Sequence, residues 1–317
     1  MKKMCIVCIL LAAVLFSLPA GGIGEEPLSS GKEEAVSARV EIFVSILPQK
    51  GIVEQIGGTG VAGEVLVKPG ESPHTFEPSP KQVMAIGEAD ALFTLGFPFE
   101  KRLVGKLASS DGAVTLFAMD RGIERRHLQE HQHEGEEHDA HQDHSDDDAH
   151  EDEHKGMPDP HVWLGPPQLE QMARNTYEGL AEADPARRDQ YKENLDTYLR
   201  ELQRADSQIK EALAPYQGKS ILVFHPAFGY FCDHYGINQI HIEIEGKSPT
   251  PRQLENLIKE ARKKDVHIIF VQPQFDKKSA QAVAEAIDGT VVPLDPLHEN
   301  VLQNLKIIAE KVGEALR

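Results

Sequence analysis

Residues 185–214 read PARRDQYKENLDTYLRELQRADSQIKEALA, and this stretch decides the architecture. Pro185 suits the first helical position, where a missing N–H costs nothing. Tyr191, Leu195, Tyr198, Leu199, Leu202, Ile209 and Leu213 then recur at helical spacing, an apolar stripe along a long amphipathic helix. About 30 residues at 1.5 Å each make a rod of roughly 45 Å, long enough to cross two lobes. A stiff spine that holds two lobes apart is therefore expected, where most linkers are flexible.

Both flanks of the spine alternate short apolar runs with amphipathic segments. Upstream, Val40, Ile42, Val44 and Ile46 mark a strand over 39–47, and Gly57-Gly58 ends a helix over 49–56. Strands at 64–67, 91–95 and 114–117 then alternate with helices at 80–89 and 99–107, and a further helix spans 167–183. Downstream, strands at 220–224, 237–244, 266–271 and 291–294 alternate with helices at 227–234, 252–263, 277–286 and 301–316. Such alternation is the pattern of a parallel sheet with helices on its faces. The predicted fold class is α/β, with two parallel-sheet lobes at 39–184 and 215–317, a linker helix at 185–214 and a ligand site in the cleft. Only the order of elements repeats between the halves.

The amino terminus reads as an export signal. Lys2 and Lys3 precede an apolar run from Met4 to Leu18 and small residues from Pro19 to Gly24, so residues 1–24 are expected to be a leader. A retained anchor is the alternative, although the run is short for a bilayer span of roughly 20 residues. Cys5 and Cys8 lie too early to be acylated, so a soluble periplasmic protein is expected, most simply a monomer, with residues 25–38 as a flexible tether. Of the three cysteines only Cys232 remains after processing, which leaves no internal disulfide.

Charge is concentrated in one place. Residues 127–156 hold eight of the fifteen histidines among twelve Asp/Glu and one Lys, a net of −11 out of −18 for the chain. No basic cluster is present to neutralise phosphates, which argues against nucleic acid. The run has almost no apolar residue, so it is expected to stay disordered without metal. Two roles are open to it: a solvated acidic linker, or weak multi-site metal capture through His127, His131, His133, His138, His141, His144, His150 and His154.

Three more histidines stand in Pro-flanked corners: His74 in Ser72-Pro73-His74, His161 in Asp159-Pro160-His161 and His225 in Phe224-His225-Pro226. In open α/β sheets ligands bind beyond the carboxyl ends of strands, where His74, His225 and Asp295 are expected, with His161 at the return from the histidine-rich run. Three neutral imidazoles and one carboxylate suit tetrahedral zinc, whereas manganese is better served by more oxygens. Asp295, in a Leu-Asp-Pro turn, admits either ligation or a turn-forming role. His234, His241, His267 and His298 have no comparable context and read as surface or structural.

Five motifs in order carry a resemblance that covers essentially the whole mature chain. They are Ser72-Pro73-His74-Thr75-Phe76-Glu77-Pro78-Ser79-Pro80, Asp159-Pro160-His161-Val162-Trp163-Leu164, Phe224-His225-Pro226-Ala227-Phe228-Gly229-Tyr230-Phe231, Gln272-Pro273-Gln274-Phe275 and Leu294-Asp295-Pro296-Leu297. The chain resembles the periplasmic metal-binding proteins of ABC-type zinc and manganese importers, in particular the zinc-uptake (ZnuA-like) branch. The resemblance implies two α/β lobes joined by one long helix, Zn2+ held in the cleft by His74, His161, His225 and Asp295, and delivery to an ABC transporter permease. Manganese members commonly carry Glu at the third position, so His225 favours zinc; manganese uptake is the alternative within the class. Gln272 replaces a Glu often seen there, and the cysteine pair of some zinc members is absent. No catalysis is implied. A zinc hydrolase is the remaining alternative; it needs an open position and a base such as Glu71, and the chain has no His-Glu-x-x-His helix.

Overall fold

Strands of four or five residues alternate with helices in the computed structural model, which describes residues 39–107, 114–128, 157–243, 250–275 and 277–317. The expected leader, the tether and seven of the loop histidines (His131, His133, His138, His141, His144, His150 and His154) lie outside the described residues. In the first lobe the strands are β1 (Val40–Val44), β2 (Val61–Val65), β3 (Ala91–Thr94) and β4 (Thr115–Ala118). The helices are α1 (Leu47–Gly57), α2 (Pro80–Glu88), α3 (Pro98–Leu107) and α4 (Pro166–Ala183). After α5 (Arg188–Leu213) the second lobe runs β5 (Ser220–Val223), α6 (Gly229–Tyr235), β6 (Asn238–His241) and α7 (Pro251–Lys263). It continues with β7 (Ile268–Val271), α8 (Lys277–Ala286), β8 (Thr290–Pro293) and α9 (Val301–Ala315).

The two four-stranded sheets share one topology, β2-β1-β3-β4 and β6-β5-β7-β8, and every pairing is parallel. In each the connections diverge between the first and third strands, the switch point beyond which such sheets bind ligands. The repeat extends to a cap. Ser79 accepts from Gln82 N at the start of α2, Thr250 accepts from Gln253 N at the start of α7, and a proline follows each cap. These reciprocal boxes satisfy donors that a helix start leaves unpaired.

Both faces of the second sheet are covered, as parallel pairing requires. Ile221 and Val223 of β5 join the main core, while Leu222 and Phe224 join a second cluster with Leu257, Ala261, Val283 and Ala284. The main core is continuous from Ile42 and Val44 in the first lobe through Trp163, Leu195 and Tyr198 to Leu305 and Ile308.

The 26 residues of α5 bury Tyr191, Leu195, Tyr198, Leu202, Ala205, Ile209 and Leu213, over roughly 39 Å at 1.5 Å each. Short 3-10 turns, Pro185–Arg187 and Ala214–Tyr216, occupy the two ends of the predicted helix. The packing differs from a rod that separates lobes: α5 lies against α1, α4 and α9 and shares their core. The lobes also meet directly. Lys50 Nζ pairs with Glu299 Oε1 at 2.6 Å. At Gly51 a Cβ would stand 2.0 Å from the Glu299 carbonyl oxygen, so only glycine lets α1 approach that loop. Among the described residues no helix is long and apolar enough to cross a membrane.

Candidate metal centre

His74 sits in the loop between β2 and α2, where its N–H donates to Ser72 Oγ at 3.4 Å. His225 comes two residues after β5, at the switch point of the second sheet. Gln272, directly after β7, clamps it there: His225 N donates to Gln272 Oε1 at 3.2 Å and Gln272 Nε2 donates to the His225 carbonyl at 2.8 Å. His161 immediately precedes a 3-10 turn, Val162–Leu164. Buried Trp163 pins that turn across the lobes, its Nε1–H donating to the Pro296 carbonyl at 2.7 Å. A buried indole N–H needs such a partner.

The structure brings these three histidines together. The His161 Nε2 atom lies 3.3 Å from His74 Nε2 and 3.3 Å from His225 Nε2. One donor atom from each of the three lies within 4.8 Å of the other two.

Two carboxylates choose which ring nitrogen faces inward. Asp159, fully buried, accepts from His161 Nδ1 at 2.7 Å and from His161 N at 3.0 Å. Glu243 accepts from His225 Nδ1 at 2.9 Å. With Nδ1 donating, each neutral ring presents a bare Nε2 lone pair, the form a metal needs. Lone pairs facing each other at 3.3 Å repel unless a cation lies between them, and this favours a cation ligand.

Protonation is suppressed by the same arrangement. Desolvation, then the charges of His161 and His225, bring the His74 pKa down to about 3. Desolvation also lowers that of His161, against the opposing pull of Asp159. Burial alone would raise the Asp159 carboxyl, but His161 and Arg126 outweigh it and hold the group below its ordinary range. Below an unfolded imidazole pKa of about 6.5 the unfolded chain binds protons that folded His74 and His161 refuse, so stability is lost as pH falls. The urea midpoint of zinc-free protein is expected to drop from pH 7.5 to pH 5, with a shallower drop for His161→Ala; equal slopes would mean that this imidazole is not the source of the pH dependence.

Asp295 follows β8, but its carboxylate is not in the group formed by the three imidazoles. Its Oδ1 accepts from Leu297 N at 2.9 Å and from Gln274 Nε2 at 3.3 Å, the turn-forming use of an aspartate in a Leu-Asp-Pro corner. His127, the described member of the histidine-rich set, is exposed on a bridge to Pro158, outside the three-imidazole group. The other histidines take other partners. His234 pairs with Asp206 at 2.7 Å, His267 with Asp265 at 3.0 Å, and His298 Nδ1 accepts from Asn300 N at 3.1 Å. His241 is buried at the end of β6.

Sequence reading missed Asp159, Glu243 and Gln272 as partners of these histidines. Asp159 had a signal, standing two residues before His161 in a rigid Pro-flanked stretch. Glu243 and Gln272 had none, because 18 and 47 residues separate them from His225.

Comparison with known proteins places the chain in a family. The profile of the family described as "ZnuA: Zinc-uptake complex component A periplasmic" matches residues 42–310. The chain is 28% identical over 309 residues to the zinc-binding protein AdcA of Streptococcus pyogenes, covering 94% of this chain and 56% of that relative. It thus spans little more than half the length of that protein. A crystal structure of ZnuA is 34% identical with a TM-score of 0.77, over 88% of this chain and all of that one. A zinc-bound ZnuA deletion mutant is 34% identical with a TM-score of 0.76, over 88% and 98% of the two chains.

Proposed function

This chain belongs to the ZnuA family, zinc-uptake complex component A, periplasmic, and from that premise we propose that it captures Zn2+ between its lobes and delivers it to an ABC-type permease in the inner membrane. His74, His161 and His225 bind the ion through Nε2, and the fourth position is assigned to Asp295, reached by a turn of its carboxylate out of its own loop. The metal is cargo, and no catalysis follows from the site.

One observation carries this reading: the 3.3 Å spacings of Nε2 atoms about His161. Zinc–nitrogen bonds of roughly 2.0–2.1 Å in a tetrahedron set the nitrogens about 3.3–3.4 Å apart. Three nitrogens and one oxygen favour zinc over manganese, which prefers oxygen-rich octahedral sites. Export to the periplasm, cleavage of residues 1–24 and a monomeric state belong to the same reading.

The test is a competition titration of the mature protein with a chromogenic zinc chelator, repeated with excess manganese, and an absorption spectrum of the cobalt form. One tight zinc per chain, little displaced by manganese, with intense four-coordinate cobalt bands, is expected. Weak octahedral cobalt bands, or manganese in full possession of the site, would sink it.

The histidine-rich run is proposed as an accessory that raises local zinc concentration through weak sites. Removal of residues 127–156 is expected to leave the tight site intact and reduce the total zinc bound to about one per chain, because neutral imidazoles bind divalent zinc even when scattered. Calorimetry giving the same total stoichiometry with and without the run would leave it a plain acidic linker.

A further inference from the structure

Arg126 reaches across the lobes from the carboxylate that holds His161 to the helix that follows His225. It lies just ahead of residues 129–156, paired to the returning chain by Asp159 N donating to the Arg126 carbonyl at 2.8 Å and Leu128 N to the Met157 carbonyl at 2.9 Å. Its Nη1 donates to Asp159 Oδ2 at 3.1 Å, while Oδ1 of the same carboxylate holds His161. On its other side Nε lies 2.9 Å from Asp233 Oδ2. Its backbone N–H donates to Tyr230 Oη at 3.1 Å, and that hydroxyl donates on to the Asp159 carbonyl at 3.1 Å. Tyr230 and Asp233 both belong to α6, the helix that begins four residues after His225.

The second lobe leaves space for this guanidinium. At Gly229, the first residue of α6, a Cβ would stand 1.5 Å from Arg126 Nη1 and 3.0 Å from Asp159 Oδ2. Gly229 does not have a positive φ, so its backbone does not call for glycine; the close approach of Arg126 does. Nη1 holds Asp159 by a hydrogen bond, whereas Nε faces Asp233 as an ion pair and has no hydrogen-bond partner among the described residues; the planar guanidinium lets one charge face two carboxylates.

We propose that Arg126 is a positioning residue of the metal centre: by joining Asp159 to α6 it fixes His161 relative to His225, so that the two Nε2 atoms stand at the spacing of a single zinc ion. The inference rests on the reading of His74, His161 and His225 as zinc ligands. Arg126 touches no ligand nitrogen; it acts through Asp159 and through the helix that follows His225.

Arg126→Ala, Gly229→Ala and the double variant test it, by chelator competition for zinc, cobalt absorption and thermal melting. Each single change is expected to weaken zinc roughly 10–100-fold, the usual effect of losing a group that orients a metal ligand. The double variant should lose no more than the larger single loss, because the added methyl and the missing guanidinium remove one contact. The cobalt bands should shift in all three, since the ligand geometry itself changes. Additive losses, or a lower melting temperature with wild-type affinity and cobalt bands, would overturn the positioning role. His161→Ala run in parallel separates the two readings. If it too keeps wild-type affinity, the ligand assignment fails; if it alone loses zinc, only the role of Arg126 fails.

Discussion

His161→Ala is expected to lower affinity for the first zinc ion by roughly 10²–10³-fold. Apparent zinc binding free energies of about 10–16 kcal/mol are shared among about four ligands, or about 2.5–4 kcal/mol each, and each 1.4 kcal/mol is tenfold in affinity. His161 is the hinge of the set, because its Nε2 lies 3.3 Å from both of the others. His241→Ala is the matched control: it also removes a buried imidazole, but one outside the three-histidine group. It should leave zinc affinity within about threefold, whatever it does to the melting temperature. Chelator competition on the two variants decides, and losses of equal size would undo the ligand assignment.

Glu100→Ala is expected to unfold at markedly lower urea than the wild type. Glu100 is 3% exposed at the carboxyl end of the first sheet. Its carboxylate takes the Ser45 hydroxyl and the N–H groups of Leu95 and Phe97, the last at 2.9 Å. Those donors belong to the segments that leave β1 and β3, at the first lobe's switch point. Truncation orphans all of them, at about 1–3 kcal/mol for each buried donor left unpaired; with partial relaxation, a loss of roughly 3–5 kcal/mol is expected out of a typical 5–15. Burial pushes the Glu100 carboxyl above its ordinary pKa, so a neutral acceptor is tolerated there and Glu100→Gln should cost distinctly less. Urea midpoints compare the two; a Glu100→Ala midpoint within error of wild type would mean that water satisfies the donors.

The switch points of the two sheets are bound by different chemistry. In the second, Gln272 exchanges two hydrogen bonds with the backbone of His225. An amide can both give and accept across that gap, which is the physical reason a glutamine serves at this position.

Much of the fold is already written in local pattern. The apolar stripe of α5, the proline-capped starts of α2 and α7, and the alternation of strand and helix all depend on residues within a few positions of one another. Most boundaries moved by a residue or two; the larger shifts are at the end of β1 (Val44, against 47), the start of β2 (Val61, against 64), the start of α5 (Arg188, against 185) and the end of β6 (His241, against 244). The glycines after α1 end it in a 3-10 turn, Gly58–Gly60, leaving the following residues free to pair with β1. Proline corners also marked His74, His161 and His225, since rigid loops after strands are where such folds place ligand groups.

Folding of the whole chain set which groups face one another. It joined the lobes through one core along α5, turned Asp295 Oδ1 into its own loop, and set Glu243 behind His225. It also threaded Arg126 between Asp159 and Gly229. Each of these pairings joins segments that meet only when the chain closes. Sequence periodicity carries the face of an element but not the identity of what packs upon it.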